Sequence, residues 1–472
     1  MTVLTDTRLE LVRRRLAAAG LAGAHRFAAP ALPRLDTGEF GIAERRMWKI
    51  YELDPDSLSH TIGLILRFDG SYTVPGLVEA VELVVREAAV LGSLVTVDGS
   101  GVPRRVPGDT AGEWIAPGAE WAWNAPAATA DELVAIPFRL TEEPPLRVRV
   151  TADGDGVTVL FVVHHLAVDD TSWPLLLGTL ISGTWPDAAA VPPIQRPAPQ
   201  VERAVEHATQ TWAAEGIRFP LSGELPRVTP AESWLAPMDE AAGAKLTEPV
   251  DPAAVAALDA VARELGGTAN ALFIAVTALG VHALTGAEDH VLLVPADNRQ
   301  PGDRPDRVGY SGNIVPMRFA VDPAASVRET LRAAVAVVYR AMEFAGVDYG
   351  TVLTALRGAG GRFPVAEIMA SVRSAPLRGI PVPDGARVTC ESVFTGIAPY
   401  PLTFAFELAP DDRVHLEVDH QLGSVDAAFA RRAAALLTAL VARVPAALDG
   451  TVAALARELT EPNRETRTPR VS

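Results

Sequence analysis

The sequence predicts an α/β chain of two similar halves, each a mixture of strands and helices packed in layers. Three observations carry this. Strand-like and helix-like apolar patterns are mixed through both halves instead of segregating. The stretch 184–200 (TWPDAAAVPPIQRPAPQ) holds five prolines, which neither a helix interior nor a central strand accommodates, so it reads as the link between the halves. The 472 residues suffice for two or three domain-sized units with real cores, and no short-period repeat points to a solenoid or propeller.

The elements follow in chain order. Near the start, Arg13-Arg14-Arg15 precedes an Ala/Gly-rich stretch that stops at His25, but Asp6 and Glu10 come before it. It reads as a short amphipathic helix with Leu9, Val12 and Leu16 on its apolar side, not as a leader. Residues 61–68 (TIGLILRF) read as a strand, and 74–90 as a helix opened by Pro75. The β-rich runs 146–150 (LRVRV) and 157–163 (VTVLFVV) flank an Asp/Gly-rich turn and read as a hairpin. A helix begins near 172, with Pro174 in its first turn. In the second half, helical patterns cover roughly 252–266, 269–285, 325–344 and 425–447, and strand-like runs cover 290–295, 386–394, 401–408 and 413–418. The Gly-rich segment 357–362 has no lysine or hydroxyl at phosphate-loop spacing and reads as a loop. The expected division is 1–190, 191–460 and a tail or linker at 461–472.

Hydrophobic residues make up 49% and charged residues 21%, which argues against wholesale disorder. The 42 basic and 58 acidic side chains give a net charge of −16, unsuited to a nucleic-acid binder that needs a basic face. Cys390 is the sole cysteine, so a disulfide framework, a Cys-rich zinc site and an iron–sulfur cluster are excluded within one chain. No run reaches 18 uninterrupted, strongly apolar residues. The expectation is a soluble, cytoplasmic protein with no membrane or nucleic-acid partner.

The segment most suited to chemistry is 161–173, FVVHHLAVDDTSW. Two adjacent histidines, His164 and His165, stand at the end of a buried strand, followed by Asp169 and Asp170. Adjacent residues on extended chain point to opposite faces, so one imidazole can face a cavity while the other faces the interior. A carboxylate nearby can orient a ring or pair with an arginine. A metal site from His164, His165 and Asp169 is disfavoured, because adjacent residues rarely chelate one ion. Gly309-Tyr310-Ser311-Gly312-Asn313 misses the nucleophile-elbow pattern, with Asn313 where the last glycine belongs.

His164-His165-Leu-Ala-Val-Asp169-Asp170 resembles the His-His-x-x-x-Asp-Gly motif of nonribosomal peptide synthetase condensation domains, members of the chloramphenicol-acetyltransferase-like superfamily. Ala43-Glu-Arg-Arg-Met-Trp48 is similar to the family's opening Ala-Gln-x-Arg-Leu-Trp. Val308-Gly-Tyr-Ser-Gly-Asn313-Ile-Val-Pro316-Met-Arg318 resembles its Val-Gly-x-Phe-Val-Asn-Thr-Leu-Pro-Leu-Arg. Asp348-Tyr349 and Tyr400-Pro-Leu402 match later elements, so the resemblance runs in family order across about 40–450. The ending from Glu461 to Thr466 is similar to the link into an adenylation domain.

The resemblance implies two chloramphenicol-acetyltransferase-like subdomains forming a V-shaped pseudo-dimer with a central cleft, a late segment crossing back over the first half. It makes His165 the cleft-facing residue, acting as general base or orienting the acceptor amine, and His164 a packed partner. Asp169 is expected to pair with Arg299; capping the helix from 172 is its alternative, and Ser172 competes for that cap. Asn313 matches the family asparagine near the site, a turn asparagine being its alternative. Trp48 reads as core, and His282, His290, His415 and His420 as structural. No cofactor is expected to be bound. Substrates would arrive on the phosphopantetheine arms of donor and acceptor peptidyl carrier proteins, with adjacent synthetase domains or a tailoring oxygenase as further partners.

Three features depart from the family. Asp170 replaces the motif glycine, Arg86-Glu-Ala-Ala-Val-Leu91 is an eroded Arg-His-Glu-x-Leu-Arg, and Ser311-Gly312 replaces a bulky Phe-Val pair. Altered motifs also mark the glycopeptide X-domains, relatives that recruit oxygenases instead of condensing, although those usually lose one motif histidine. Amide-forming condensation is the first reading, X-like recruitment the second, and a coenzyme-A-dependent acyltransferase the third.

Overall fold

The computed structural model describes residues 38–108, 111–186, 199–213, 220–221, 242–300, 303, 307–358 and 366–460. The expected N-terminal helix, most of the proline-rich link, the centre of the 357–362 loop and the 461–472 tail lie outside the described residues.

The first half runs α1 (Ile42–Leu53), β1 (Thr61–Asp69), α2 (Val74–Glu87), β2 (Ser93–Val97), β3 (Pro103–Pro107), β4 (Glu113–Ala116), β5 (Glu120–Trp123), α3 (Ala130–Val134), β6 (Leu146–Asp153), β7 (Gly156–His164) and α4 (Trp173–Ser182). Helix α2 starts as its sequence requires: the Thr73 hydroxyl accepts from the Gly76 N–H, and Pro75 fills a position with no intrahelical bond to lose. It stops at Glu87, short of the expected 90, and the chain tightens into a 3-10 turn over Ala89–Gly92 before β2. Gly183 ends α4 with φ 68°, a left-handed conformation suited to glycine.

The second half runs α5 (Val201–Ala213), β8 (Gly243–Val250), α6 (Pro252–Glu264), α7 (Ala269–Thr285), β9 (Asp289–Asp297), β10 (Gly312–Ala320), α8 (Val327–Met342), α9 (Tyr349–Gly358), β11 (Ile368–Ser374), β12 (Arg387–Val393), β13 (Leu402–Leu408), β14 (Val414–Gln421), α10 (Ala427–Ala447) and α11 (Val452–Thr460). No single helix among the described residues is long and apolar enough to cross a membrane.

Two six-stranded sheets organise these elements. The first is antiparallel, in the order β12-β1-β7-β6-β5-β4; the second is mixed, in the order β10-β9-β11-β13-β14-β8. Strand β12 is the late segment that crosses back: it leaves the second half and pairs with β1, Leu64 opposite Ser392.

Strand alternation sorts the cores. Phe161 and Val163 of β7 face α2 and α4, whereas Leu160 and Val162 face Trp48, Leu133 and Phe138 on the other side. Trp48 is therefore core, as its pattern suggested. In the second half, α6, α7, α8 and α10 cover one face of the sheet, and α7 is buried nearly all round. Each fully buried Leu, Val or Phe here contributes roughly 1.5–3 kcal/mol. The other face of that sheet carries ion pairs instead, Arg373–Glu407 at 3.0 Å, Lys245–Glu417 at 2.9 Å and Arg373–Glu417, on four successive strands.

Candidate active site

The site lies where the end of β7 meets loops of the second half. Strand β7 runs opposite β1, Thr61 facing His164, and the pairing extends one step further as the His165 N–H donates to the His60 carbonyl at 2.7 Å. The chain then turns as a 3-10 helix over His165–Ala167, which redirects the second histidine.

The two imidazoles are held in opposite tautomers. His164 is buried, its ring edge-on to Tyr51 and Phe138 at 5.8 and 5.9 Å, and its Nδ1 accepts from the Leu166 N–H at 3.1 Å. Its proton sits on Nε2, and burial holds its pKa well below the usual histidine value. His165 is half-buried, and its Nδ1 lies 2.7 Å from the Val168 carbonyl. A carbonyl only accepts, so Nδ1 carries a proton, and Nε2 makes no hydrogen bond among the described residues. The Tyr310 ring from the second half stands edge-on to His165 at 5.0 Å.

Asp169 bonds to Arg299 of the second half and to neither imidazole. Its Oδ1 accepts from Arg299 Nη2 at 3.1 Å, and its Oδ2 lies 3.0 Å from Nη1, a bidentate pair with both side chains under 10% exposed. Burial works against the Arg299 charge, but the hydrogen bonds it donates to Asp169 and Asp297, with their negative charge, outweigh it and raise the pKa. Asp169 also accepts from the Thr171 and Ser311 N–H groups at 3.2 and 2.9 Å. Asp169 thus pairs with Arg299 and caps the short turn over 170–172, not the helix that follows, whose N-cap position is Ser172.

Ser172 does not compete for a helix cap. Pro174 offers no N–H at the second helical position, and the serine makes no side-chain cap bond. Its hydroxyl instead lies 3.2 Å from Asp169 Oδ1 and 3.3 Å from the Gly309 carbonyl, bridging the halves. Asp170 is exposed. Arg373 lies within its field: burial opposes the guanidinium charge, and Glu417, Glu407 and Asp170 together hold it on.

Asn313 is not a turn residue. It stands on β10, buried, its amide donating to the Ala345 and Val347 carbonyls at 2.8 and 2.7 Å while its Oδ1 accepts from the Tyr349 N–H at 2.9 Å. Arg46 of α1 reaches the same oxygen at 3.2 Å, the Gly312 carbonyl at 2.6 Å and the Asp348 carboxylate. Three sequence motifs therefore meet at one guanidinium, a role for Arg46 and Asp348 that no local pattern discloses. Tyr310 and His60 are further neighbours that the sequence reading did not single out. Among the described residues no group of three or more His, Cys, Asp or Glu side chains converges as a metal requires. His282 and His420 cap backbone carbonyls within the second half.

His164 and His290 are buried and His60 is half-buried, and all three resist protonation, which makes stability fall in acid. Burial lowers His60 to about 3 and His290 to about 4, and lowers His164 as well. Each folded-state value lies below the unfolded one of about 6.5, so the unfolded chain binds the proton first. The contribution is complete above pH 6.5 and is lost as pH falls toward these values, about 2 kcal/mol by pH 5 for each ring that stays neutral. The urea midpoint should therefore drop between pH 7.5 and 5.0. An unchanged midpoint would show that these rings reach water in the folded state.

Comparison with solved structures shows the fold of condensation domains here, with two six-stranded sheets and the histidine motif at the end of β7. The condensation domain of the Monacolin K polyketide synthase MokA matches with a TM-score of 0.70 at 15% identity, over 89% of this chain and 100% of that one. The X-domain from teicoplanin biosynthesis, solved as a complex with OxyB, matches with a TM-score of 0.65 at 18% identity, over 92% of this chain and 98% of that one. In sequence the chain is similar to the N-(5-amino-5-carboxypentanoyl)-L-cysteinyl-D-valine synthase of Amycolatopsis lactamdurans, 24% identical over 361 residues. That alignment takes in 70% of this chain but only 9% of the synthase, so the chain spans a small part of such a relative's length. No family model matches the chain.

Proposed function

We propose that this chain is a condensation domain or free-standing condensation enzyme. It would join a carrier-bound acyl or peptidyl thioester to an acceptor amine, or to a hydroxyl to give an ester. The observation that carries this reading is His165, its Nδ1 tied to the Val168 carbonyl and its ring against Tyr310 where the halves meet, which leaves Nε2 as the nitrogen available to a substrate.

The reaction needs little else. The acceptor nitrogen attacks the thioester carbonyl, a C–N bond forms, the C–S bond breaks, and one proton passes from nitrogen to the departing sulfur. A positioned imidazole can accept that proton at Nε2 and return it to the thiolate, with no covalent enzyme intermediate. Orienting the amine by hydrogen bond through the same Nε2 is the gentler form of this role. Asp169 acts through the loop: paired with Arg299 and Ser311, it keeps the turn after His165 in shape. Donor and acceptor peptidyl carrier proteins, bearing phosphopantetheine-linked substrates, are the partners this chemistry calls for. The test is intact-protein mass spectrometry of an acyl-loaded donor carrier mixed with an aminoacyl acceptor carrier; mass transfer to the acceptor supports condensation.

Asp170 favours a second reading. It places an exposed carboxylate where condensation domains keep glycine, and the chain shares its fold with an X-domain solved as a complex with OxyB. Under that reading the chain recruits a tailoring oxygenase and transfers nothing. Asp170→Gly separates the two. If the chain condenses, the glycine variant should match or exceed the wild-type rate in the carrier assay, because it only removes an exposed carboxylate that the proposed reaction does not use. If no cognate carrier pair yields product with either protein while an oxygenase binds, recruitment is the function.

A further inference from the structure

We propose that Tyr310 is the positioning residue for His165, and that residue 312 is glycine to leave room for its ring. This rests on the reading of His165 as the working imidazole and adds a residue to it.

The backbone from Val308 to Asn313 crosses from the second half to the motif, held by the Ser311 N–H on Asp169 and the Gly309 carbonyl beside Ser172. That anchoring delivers Tyr310 to the first half, where its ring packs with the Trp48 and Leu166 core cluster and meets His165 edge-on, with an interplanar angle of 76°. An imidazole fixed at Nδ1 by one hydrogen bond can still swing about that bond. A second ring packed against it at 76° restricts the remaining freedom, as such pairs prefer this T-shaped geometry.

Gly312 shows that the ring's place is built. A Cβ added there would lie 2.8 Å from Tyr310 Cε2 and 2.9 Å from Cζ and the hydroxyl oxygen, closer than side-chain carbons approach. The Phe-Val pair expected at 311–312 and the tyrosine at 310 are therefore alternatives: the bulk absent from Ser311-Gly312 reappears one residue earlier. Burial keeps the phenol protonated, although neighbouring Arg46 pulls the other way, so the contact stays neutral near pH 7.

Gly312→Val tests this, alone and combined with Tyr310→Ala, alongside Tyr310→Phe and Tyr310→Leu. The readout is His165 itself in the folded protein, by NMR of ¹⁵N-labelled histidine and by its rate of modification with diethyl pyrocarbonate. Tyr310→Ala and Gly312→Val should each shift the His165 resonances and raise its modification rate by about two- to tenfold, the range an edge-on aromatic pair contributes. Tyr310→Phe should stay within about twofold of wild type, and Tyr310→Leu should fall between, which serves if the alanine variant does not fold. Adding Gly312→Val to the Tyr310→Ala variant should change nothing more, since the obstacle to a side chain there is gone. In the carrier assay, kcat should fall with KM near wild type. An unmoved His165 in Tyr310→Ala, or a valine equally disruptive with and without the tyrosine, overturns the proposal. These readouts need no turnover, so a failed condensation assay would refute the function and leave this contact standing.

Discussion

His165→Ala should lower amide formation between carrier-bound substrates by about 10²–10⁴-fold, the usual range for a positioned acid–base group, with the fold intact. The half-buried ring donates one hydrogen bond, to the Val168 carbonyl, and that bond lies within the turn and outside the sheet. Circular dichroism and urea midpoint should stay near wild type while product in the mass-spectrometric assay disappears. The neighbouring histidine makes the contrast. His164→Ala removes a buried ring between Tyr51 and Phe138 and leaves the Leu166 N–H without its acceptor, so it should lose stability first. If His165→Ala condenses at the wild-type rate, the imidazole is not the working group and the proposed mechanism is wrong.

Asp169→Ala should cost roughly 3–5 kcal/mol of stability, because it strands a buried guanidinium. Arg299 is 5% exposed and, among the described residues, would keep Asp297, a carboxylate 30% exposed, as its ion-pair partner. The same change frees the Ser311 and Thr171 N–H groups, so the loop bearing Tyr310 and the turn after the histidines loosen together. The urea midpoint and the condensation rate should both fall. Arg299→Ala should cost a similar amount, and the double variant less than the sum, since the second removal takes away a charge already unpaired. An Asp169→Ala protein with unchanged melting behaviour would show that water reaches the pair.

Part of this architecture is legible in the chain itself. The 146–163 hairpin declares itself by two β-rich runs around Asp and Gly, and α7 by a long apolar run ending at Gly286. Strands β2 to β5, β8, β10 and β11 escaped notice, and at the two edges of the second sheet the pattern is shaped by position. Strand β10 contains Pro316, which argues against a central strand; it is tolerated because β10 is the sheet's edge. Strand β8, at the opposite edge, alternates too weakly to stand out, since one face carries Lys245 into ion pairs. Strand β12 was readable as a strand, but its partner was not, for β1 lies more than 300 residues earlier in the chain, as the pairing of Leu64 with Ser392 shows.

What the sequence alone determined is the local chemistry: a buried strand ending in two histidines, an aspartate four residues on, and alternating layers in both halves. Those follow from short-range rules of strand alternation, helix periodicity and proline geometry. Only the tertiary structure decided what that chemistry touches. Asp169 and Arg299 are 130 residues apart, and Arg46 meets Asn313 and Asp348 across 267 and 302. Which imidazole carries its proton on which nitrogen depends on a carbonyl and an N–H presented by a turn, not on residue type. And the value of glycine at 312 depends on a ring that fills its space from two residues away, because close packing is set by shape in three dimensions, which no one-dimensional pattern encodes.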